Sequence, residues 1–514
     1  MSRPHFESEH EIFRDNFRKF CEAEVKPHQE QWLKDRIVSR EVWKKAGENG
    51  FCAPFVDEQY GGLGLTDFRY SQIMLEELAR IGESGFALGL HNDVIAPYIN
   101  SFANDEQKAR WLPGICSGEK ILAVAMTEPG TGSDLKSIKT RLEDKGDHYV
   151  LNGAKTFISN GILSDIVIVA ANIENVGITL CVVERGMEGF NRGRKLDKMG
   201  MDSQDTAELF FENVKVPKTN ILGMPGMGFM YLMQKLAQER MVCAIGAIAG
   251  ADFALEHTLQ YVKERKAFGK PIGSFQANRF KMAEMKTEIT IGKTFVDTLV
   301  MKCVNGTITP EDAFMAKYWT TDLLNKVCYD CVQLHGGYGY MMEYPIARAY
   351  LDARITTIFA GTNEIMKEVI ARSLVGRRSS FVGSLGKQMT TLFTVGYQGH
   401  SIETFLDLVQ AHGPELGERA VTVGPNEIRC VVVPGVDAVV ERERARDHRA
   451  GPARRLPVGA PALALAHLCL ALGRAVVPQA HVAGPGLDGG AARQPAPGRI
   501  LRGEPAATPA GAWS

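Results

Sequence analysis

Thr309-Pro310-Glu311-Asp312, then an unbroken helical pattern to Gln333-Leu334-His335, then Gly336-Gly337, is the stretch that decides the fold. A threonine cap, a proline at the first helical position and an acid at the third suit the unpaired amides of a helix start. The paired glycines stop it. Two more helical patterns of this kind precede it, Met230 to Lys263 and Gln276 to Asn305. All three are too long for the crossovers of a parallel α/β sheet, and short connections make neighbours antiparallel, so residues 229–375 read as a four-helix bundle.

Toward the N-terminus the period changes. Between Leu122 and Val216, Ile166 to Ala170 and Ile178 to Val183 are β-branched apolar runs, Ala207 to Phe211 follows, and Val150-Leu151-Asn152-Gly153 carries an Asn-Gly hairpin signal. Residues 122–228 therefore read as a compact antiparallel β-barrel. From Glu9 to about Asn104 the pattern is helical again, with Phe13, Phe17, Phe20 and Cys21 on one face. The expectation is an α+β fold, with an N-terminal α-helical domain over 1–121, the barrel, the bundle and a tail over 376–514.

The tail differs in kind. No lysine follows Lys387, and Ala, Gly and Pro dominate from Gly451 to Ser514, a composition that buries little and reads as disordered. It has the flavour of a fusion or a shifted reading frame. Leu456 to Gly473 approaches the length of a membrane span, but Pro461 and His467 interrupt it. The one Gly-x-Gly-x-x-Gly, Gly484 to Gly489, lies here with no strand before it, so no nicotinamide-binding unit is expected.

Among 514 residues, 59 Lys and Arg face 60 Asp and Glu, for a net charge of -1, which offers no electrostatic attraction to nucleic acid or an anionic membrane. Ten scattered cysteines and an acidic, amphipathic beginning without a secretory or transit pattern point to reduced thiols and a cytoplasmic location. Cys328-x-x-Cys331 sits inside a helical pattern without a second ligand pair, so no metal is expected.

Three segments are richer than a scaffold needs. Met126-Thr127-Glu128-Pro129-Gly130-Thr131-Gly132-Ser133-Asp134 crowds hydroxyls and bare backbone into one loop, as a ligand site or a plain turn does. Phe157-Ile158-Ser159-Asn160-Gly161 offers an aromatic face beside a hydroxyl, suited to a flat heterocycle, and also reads as a hairpin end. Arg265-Lys266-Ala267-Phe268-Gly269-Lys270 closes a long helix with cations, which the helix dipole favours on its own.

With Gln333-Leu334-His335-Gly336-Gly337-Tyr338-Gly339 and Ala360-Gly361-Thr362-Asn363-Glu364, these motifs occur in one order, and over about residues 5–375 the chain resembles the acyl-CoA dehydrogenase family. Its motifs look most like the long-chain, bacterial type. The resemblance implies FAD between barrel and bundle. Met126, Thr127, Ser133, Phe157, Ser159, Thr362 and Glu364 would meet the cofactor, and Arg265, Phe268, Gln276, Gln333 and Gly337 would hold the pyrophosphate and adenosine of FAD across a subunit interface. It further implies acyl-CoA as substrate, contacted by Ser133, Arg240 and Gly361, an electron-transfer flavoprotein as acceptor, and a homotetramer built as a dimer of dimers. A branched-chain, isovaleryl-type dehydrogenase, a flavin oxidase and an inactive acyl-CoA-binding relative remain alternatives on the same fold.

Forming a 2,3-double bond in an acyl thioester requires a base over C2. Many family members place a glutamate just before the last helix, where this chain has Ala360, which cannot take a proton. Members of the long-chain and isovaleryl subgroups use a Glu-Arg pair on the first bundle helix, and here Glu239-Arg240 matches it. Glu239 precedes the apolar or small run Met241 to Gly246. It is therefore either a base with a raised pKa or a solvated acid paired with Arg240 or Lys235. Glu256 is the competitor outside the Glu-Arg context. The backbone N–H of Ala360 would keep a role as half of an oxyanion site.

Overall fold

The computed structural model describes residues 3–374 and, beyond them, three short strands. The chain divides into two units, Met1–Ser379 and Ser380–Ser514. In the second, Thr422–Gly424, Asn426–Val431 and Val439–Glu441 pair as a three-stranded antiparallel sheet. The Ala/Gly/Pro-rich stretch, the apolar run at 456–473 and the glycine motif at 484–489 lie outside the described residues.

The first unit opens with six helices: α1 Ser8–Phe20, α2 Gln29–Asp35, α3 Arg40–Glu48, α4 Phe68–Arg80, α5 Ala96–Phe102 and α6 Asp105–Cys116. The face foreseen on α1 is real, for Phe17, Phe20 and Cys21 are buried against Trp43, Phe51 and Leu88. A π-helical turn, Leu90–Ile95, enters α5. Among the described residues no strand precedes Leu122.

Eight strands follow: β1 Leu122–Ala125, β2 Arg141–Asp144, β3 His148–Ser159, β4 Ile166–Ile173, β5 Gly177–Glu184, β6 Phe190–Lys195, β7 Thr206–Pro217 and β8 Ile221–Leu222. They pair in the order β6-β7-β3-β2-β4-β5-β8, with β1 on β4. Two expectations fail here. The sheet is mixed, because β4 pairs in parallel with β1 and with β2, and the path from β6 to β8 does not close, so this is not an antiparallel barrel. Asn152-Gly153 does not make a hairpin either. It lies inside the twelve-residue strand β3 at a register shift, with Gly153 against Thr140, where a Cβ would come within 2.5 Å of the threonine hydroxyl.

The apolar run of β4 is continuous because both faces are covered. Ile166, Ile168 and Ala170 pack with α5 and α6, and Val167, Val169 and Ala171 with the opposite core of the sheet.

The helical third holds α7 Gly228–Glu264, α8 Gln276–Val304, α9 Pro310–His335, α10 Pro345–Ala353 and α11 Asn363–Leu374. Thr309 caps α9 as foreseen, its hydroxyl accepting from the Asp312 amide at 3.1 Å while Asp312 returns the bond to the Thr309 amide. Gly336 ends the helix at φ +61°. By length and composition α7 matches a membrane span, but half of its most apolar window is buried, and its residues form one core with α8 and α9. A hairpin, β9 Lys266–Ala267 with β10 Lys270–Pro271, joins α7 to α8.

Candidate active site

Glu239 lies on α7 where that helix passes α5, and it is buried at 5% exposure, which removes the solvated alternative. Tyr98, fully buried on α5, donates its hydroxyl to Glu239 Oε1 at 2.6 Å. Burial pushes the Glu239 carboxyl above its ordinary range, while Arg240, the Tyr98 bond and Lys235 pull it part of the way back. Lys235 bonds instead to Ser101 Oγ at 2.7 Å. Glu256 is exposed. Of the two carboxylates, only Glu239 has a base's environment.

Arg240 is buried beside it, with Nη1 at 3.8 Å from Glu239 Oε2 and its guanidinium carbon 5.6 Å from the Phe314 ring centroid. Its other end reaches the turn before α11, since a Cβ built on Gly361 would stand 3.3 Å from Arg240 Nη2. The pairing of Glu239, Arg240 and the 360–361 turn is thus a property of the fold. Ala360 has φ +51° and Gly361 +85°. A non-glycine residue in that region is uncommon and marks a backbone held there by its surroundings. No hydrogen bond among the described residues takes the Ala360 N–H. Thr362 is half-buried, its hydroxyl accepting from the Ile365 amide at 3.3 Å, and Glu364 is exposed.

The 126–134 loop is organised around an ion pair that the sequence reading passed over. Glu128 is buried and accepts from the Lys139 amide at 2.7 Å and the Thr140 amide at 2.9 Å. Lys155, fully buried on β3, donates to Glu128 Oε1 at 2.9 Å and to the Met126 carbonyl at 3.0 Å. The Thr156 amide bonds to the Thr127 carbonyl at 3.0 Å, which seats Met126 and Thr127 beside the strand that carries Phe157 and Ser159. Phe157 sits at a bulge with φ +58° and 69% exposure. Met126 packs on the cluster that contains Tyr98, joining this loop to the Glu239 region. Ser133 is exposed on the loop with no hydrogen-bond partner among the described residues.

A third group gathers at the far end of the bundle. Arg265, Phe268, Gln333 and Gly337 line a cavity of about 860 Å³, together with Tyr261 and His335. The Arg265 guanidinium lies 5.2 Å from the Tyr338 ring centroid. Phe268 holds the hairpin tip at φ +52° and is 95% exposed. Gln276 is exposed at the first position of α8, beside this cavity's lining residues Ala277, Asn278 and Lys281 on the same helix. Among the described residues no group of His, Cys, Asp and Glu is arranged to hold a metal.

The acyl-CoA dehydrogenase N-terminal, middle and C-terminal domain models match residues 7–119, 123–214 and 226–375. The mitochondrial long-chain specific acyl-CoA dehydrogenase of Sus scrofa is 48% identical over 376 residues, 72% of this chain and 87% of that protein. The crystal structure of acyl-CoA dehydrogenase from Geobacillus kaustophilus is 50% identical with a TM-score of 0.71, covering 73% of this chain and 100% of the other. That of an acyl-CoA dehydrogenase from Bacillus anthracis complexed with FAD is 33% identical with a TM-score of 0.69, covering 73% of this chain and 70% of the other. With three domain models in order along it and relatives at this identity, the chain belongs to the acyl-CoA dehydrogenase family.

Proposed function

We propose that the chain oxidises a long-chain acyl-CoA to its 2,3-trans-enoyl-CoA in fatty-acid β-oxidation, with Glu239 as the base and an electron-transfer flavoprotein as the acceptor. The chain is an oxidoreductase of the acyl-CoA dehydrogenase type with FAD as its cofactor. The observation that carries the reading is a buried, Tyr98-bonded Glu239 beside a turn whose residue 360 has no acid. The identity to long-chain specific relatives supports the chain length.

The donor set fits FAD. The Arg265 guanidinium pairs naturally with a diphosphate, Gln333 offers an amide, and the backbone at Gly336 and Gly337 is bare, since an added Cβ there would meet nothing within 4 Å. When bound, FAD supplies the acceptor for the C3 hydride. Glu239 takes the C2 proton into a carboxylate whose affinity for it is raised by burial. Tyr98 holds Oε1, which leaves Oε2 as the oxygen to receive the proton. The Ala360 N–H stands for the thioester oxygen, where charge develops as the proton leaves.

Glu239 lies on α7 and Arg265 directly follows its C-terminal end, 26 positions apart by their numbers, which at 1.5 Å per residue is about 39 Å. One dinucleotide cannot span that length, so the reading requires the Arg265 end of one copy to serve the Glu239 end of another. The exposed Phe268 at the hairpin tip supports this, and a homotetramer is the proposed assembly. The eight cysteines within residues 3–374 are free thiols, in keeping with a cytoplasmic setting.

Product analysis tests the proposal. Incubation with graded straight-chain acyl-CoAs and an artificial one-electron acceptor is expected to give the trans-2-enoyl-CoA, fastest with long chains. Stoichiometric peroxide under air would indicate an oxidase instead, and absence of product with every acyl-CoA would remove the reading.

Two variants probe its parts. Tyr98→Phe removes a donor that favours the ionised form of Glu239, so the carboxyl pKa rises. The base must be ionised to act; the acidic limb of the flavin-reduction rate therefore moves to higher pH, and an unmoved limb would separate Tyr98 from the base. Arg265→Ala removes charge-assisted bonds worth about 1.5–3 kcal/mol, so FAD binding should weaken about ten- to a hundredfold. The ratio of flavin absorbance to protein after gel filtration reads it directly.

A further inference from the structure

Two positive charges flank the turn at Ala360 and Gly361 from inside the protein. Arg240 approaches from α7, with Nη1 donating to the Leu236 carbonyl at 3.1 Å and Nε buried without a partner. Lys317 approaches from α9. It is fully buried, and its amine donates to the Gly361 carbonyl and to Asn363 Oδ1, each at 2.8 Å. Both acceptors are neutral, and Asp322 and Glu364 act on the amine only through space. Burying an ammonium without a contacting carboxylate is expensive, and a neutral donor would hold the same carbonyl at less cost. Burial lowers this lysine to about 8, still above neutral pH, so it stays mostly charged there.

We infer that Lys317 is a positioning residue whose buried charge, with that of Arg240, holds the Ala360–Gly361 turn in place and sets a positive field where the thioester oxygen gains negative charge. The inference rests on the acyl-CoA dehydrogenase reading above. As the C2 proton leaves, charge moves onto the thioester oxygen, and a fixed cation in a water-poor site stabilises that state without reorganising. The turn also has a mooring independent of the charge. Asn363 Nδ2 donates to Thr321 Oγ1 at 2.9 Å and to Asp322 Oδ1 at 2.8 Å, tying the start of α11 to α9. Removal of the lysine charge alone therefore leaves the backbone anchored.

The test uses the full-length holoenzyme and a 3-thia-acyl-CoA, a thioester whose C2 proton is acidified by the adjacent sulfur but which has no C3 hydride to transfer. Its ionisation on the enzyme is followed by the long-wavelength absorbance that the deprotonated thioester produces over oxidised flavin. Lys317→Gln keeps a donor and loses the charge. It is expected to lower the ionised fraction at pH 7 about tenfold, with FAD content and melting temperature unchanged, and Lys317→Arg to recover most of the loss. Should Lys317→Gln not fold, Cys243→Asp puts a carboxylate where the thiol feels both cations, with Cys243→Ser as its neutral control, and the same loss is expected. An ionised fraction equal to wild type in Lys317→Gln, or in Cys243→Asp, overturns the inference while leaving the dehydrogenase reading intact. A wild-type protein that never ionises the probe removes both.

Discussion

Glu239→Gln is expected to reduce the rate of flavin reduction by acyl-CoA about a thousandfold, within the range that a positioned general base contributes, while FAD content stays at the wild-type level. The amide keeps the size of the side chain and still accepts from the Tyr98 hydroxyl, so the packing of α7 on α5 survives. What disappears is the proton acceptor. No other carboxylate replaces it on that helix, because Glu256 and Glu264 are exposed and Asp252 pairs with Lys286 and Lys293, and the turn before α11 offers only alanine at 360. Stopped-flow absorbance under argon measures the rate, and a variant reduced at the wild-type rate would remove Glu239 from the chemistry.

Glu128→Ala should destabilise the fold by about 3–5 kcal/mol, because it strands the fully buried Lys155 ammonium. Burial opposes ionisation of Glu128, yet donors on Thr140, Lys139 and Lys155 hold its carboxyl below the ordinary range. The sign follows: its contribution is present above the unfolded-state pKa and is lost as pH falls through the lower folded value. The loop that carries Met126 and Thr127 hangs on this pair, so FAD content should fall along with the urea midpoint. The double variant Glu128→Leu with Lys155→Met leaves no charge unpaired and is expected to recover part of the stability. Equal midpoints for wild type and Glu128→Ala would contradict the assignment.

Local signals were legible and long-range pairing was not. Thr309, Pro310 and Asp312 announce α9 because a cap is made by residues within one turn of each other. The face of α1 was readable for the same reason, its period being set by neighbours along the chain. Asn152-Gly153 misled because its glycine serves a close approach to Thr140 across the sheet, a demand no local pattern displays. Nor does periodicity show that β4 pairs in parallel with β1 and β2, or that the sheet stays open between β6 and β8.

The site divides in the same way. Glu239 stood out because the acid missing at Ala360 made another carboxylate necessary, and Arg265, Phe268, Gln333 and Gly337, which line one cavity, were singled out through their motifs. Tyr98 was not, since a tyrosine in a helical apolar pattern reads as core, and its hydroxyl bond to a residue 141 positions away leaves no local trace. Lys317 was not either, because a lysine on a helix reads as a solvated face.

The central claim, that a carboxylate on α7 does the work usually placed before the last helix, meets its most direct test in an anaerobic titration. The purified yellow protein and its Glu239→Gln variant are each titrated with a saturated long-chain acyl-CoA while flavin absorbance is recorded. The account predicts that the wild type bleaches within mixing time as substrate reaches one equivalent per flavin, and that the variant stays yellow on the same timescale. Equal bleaching of the two proteins, or none in the wild type, would contradict it.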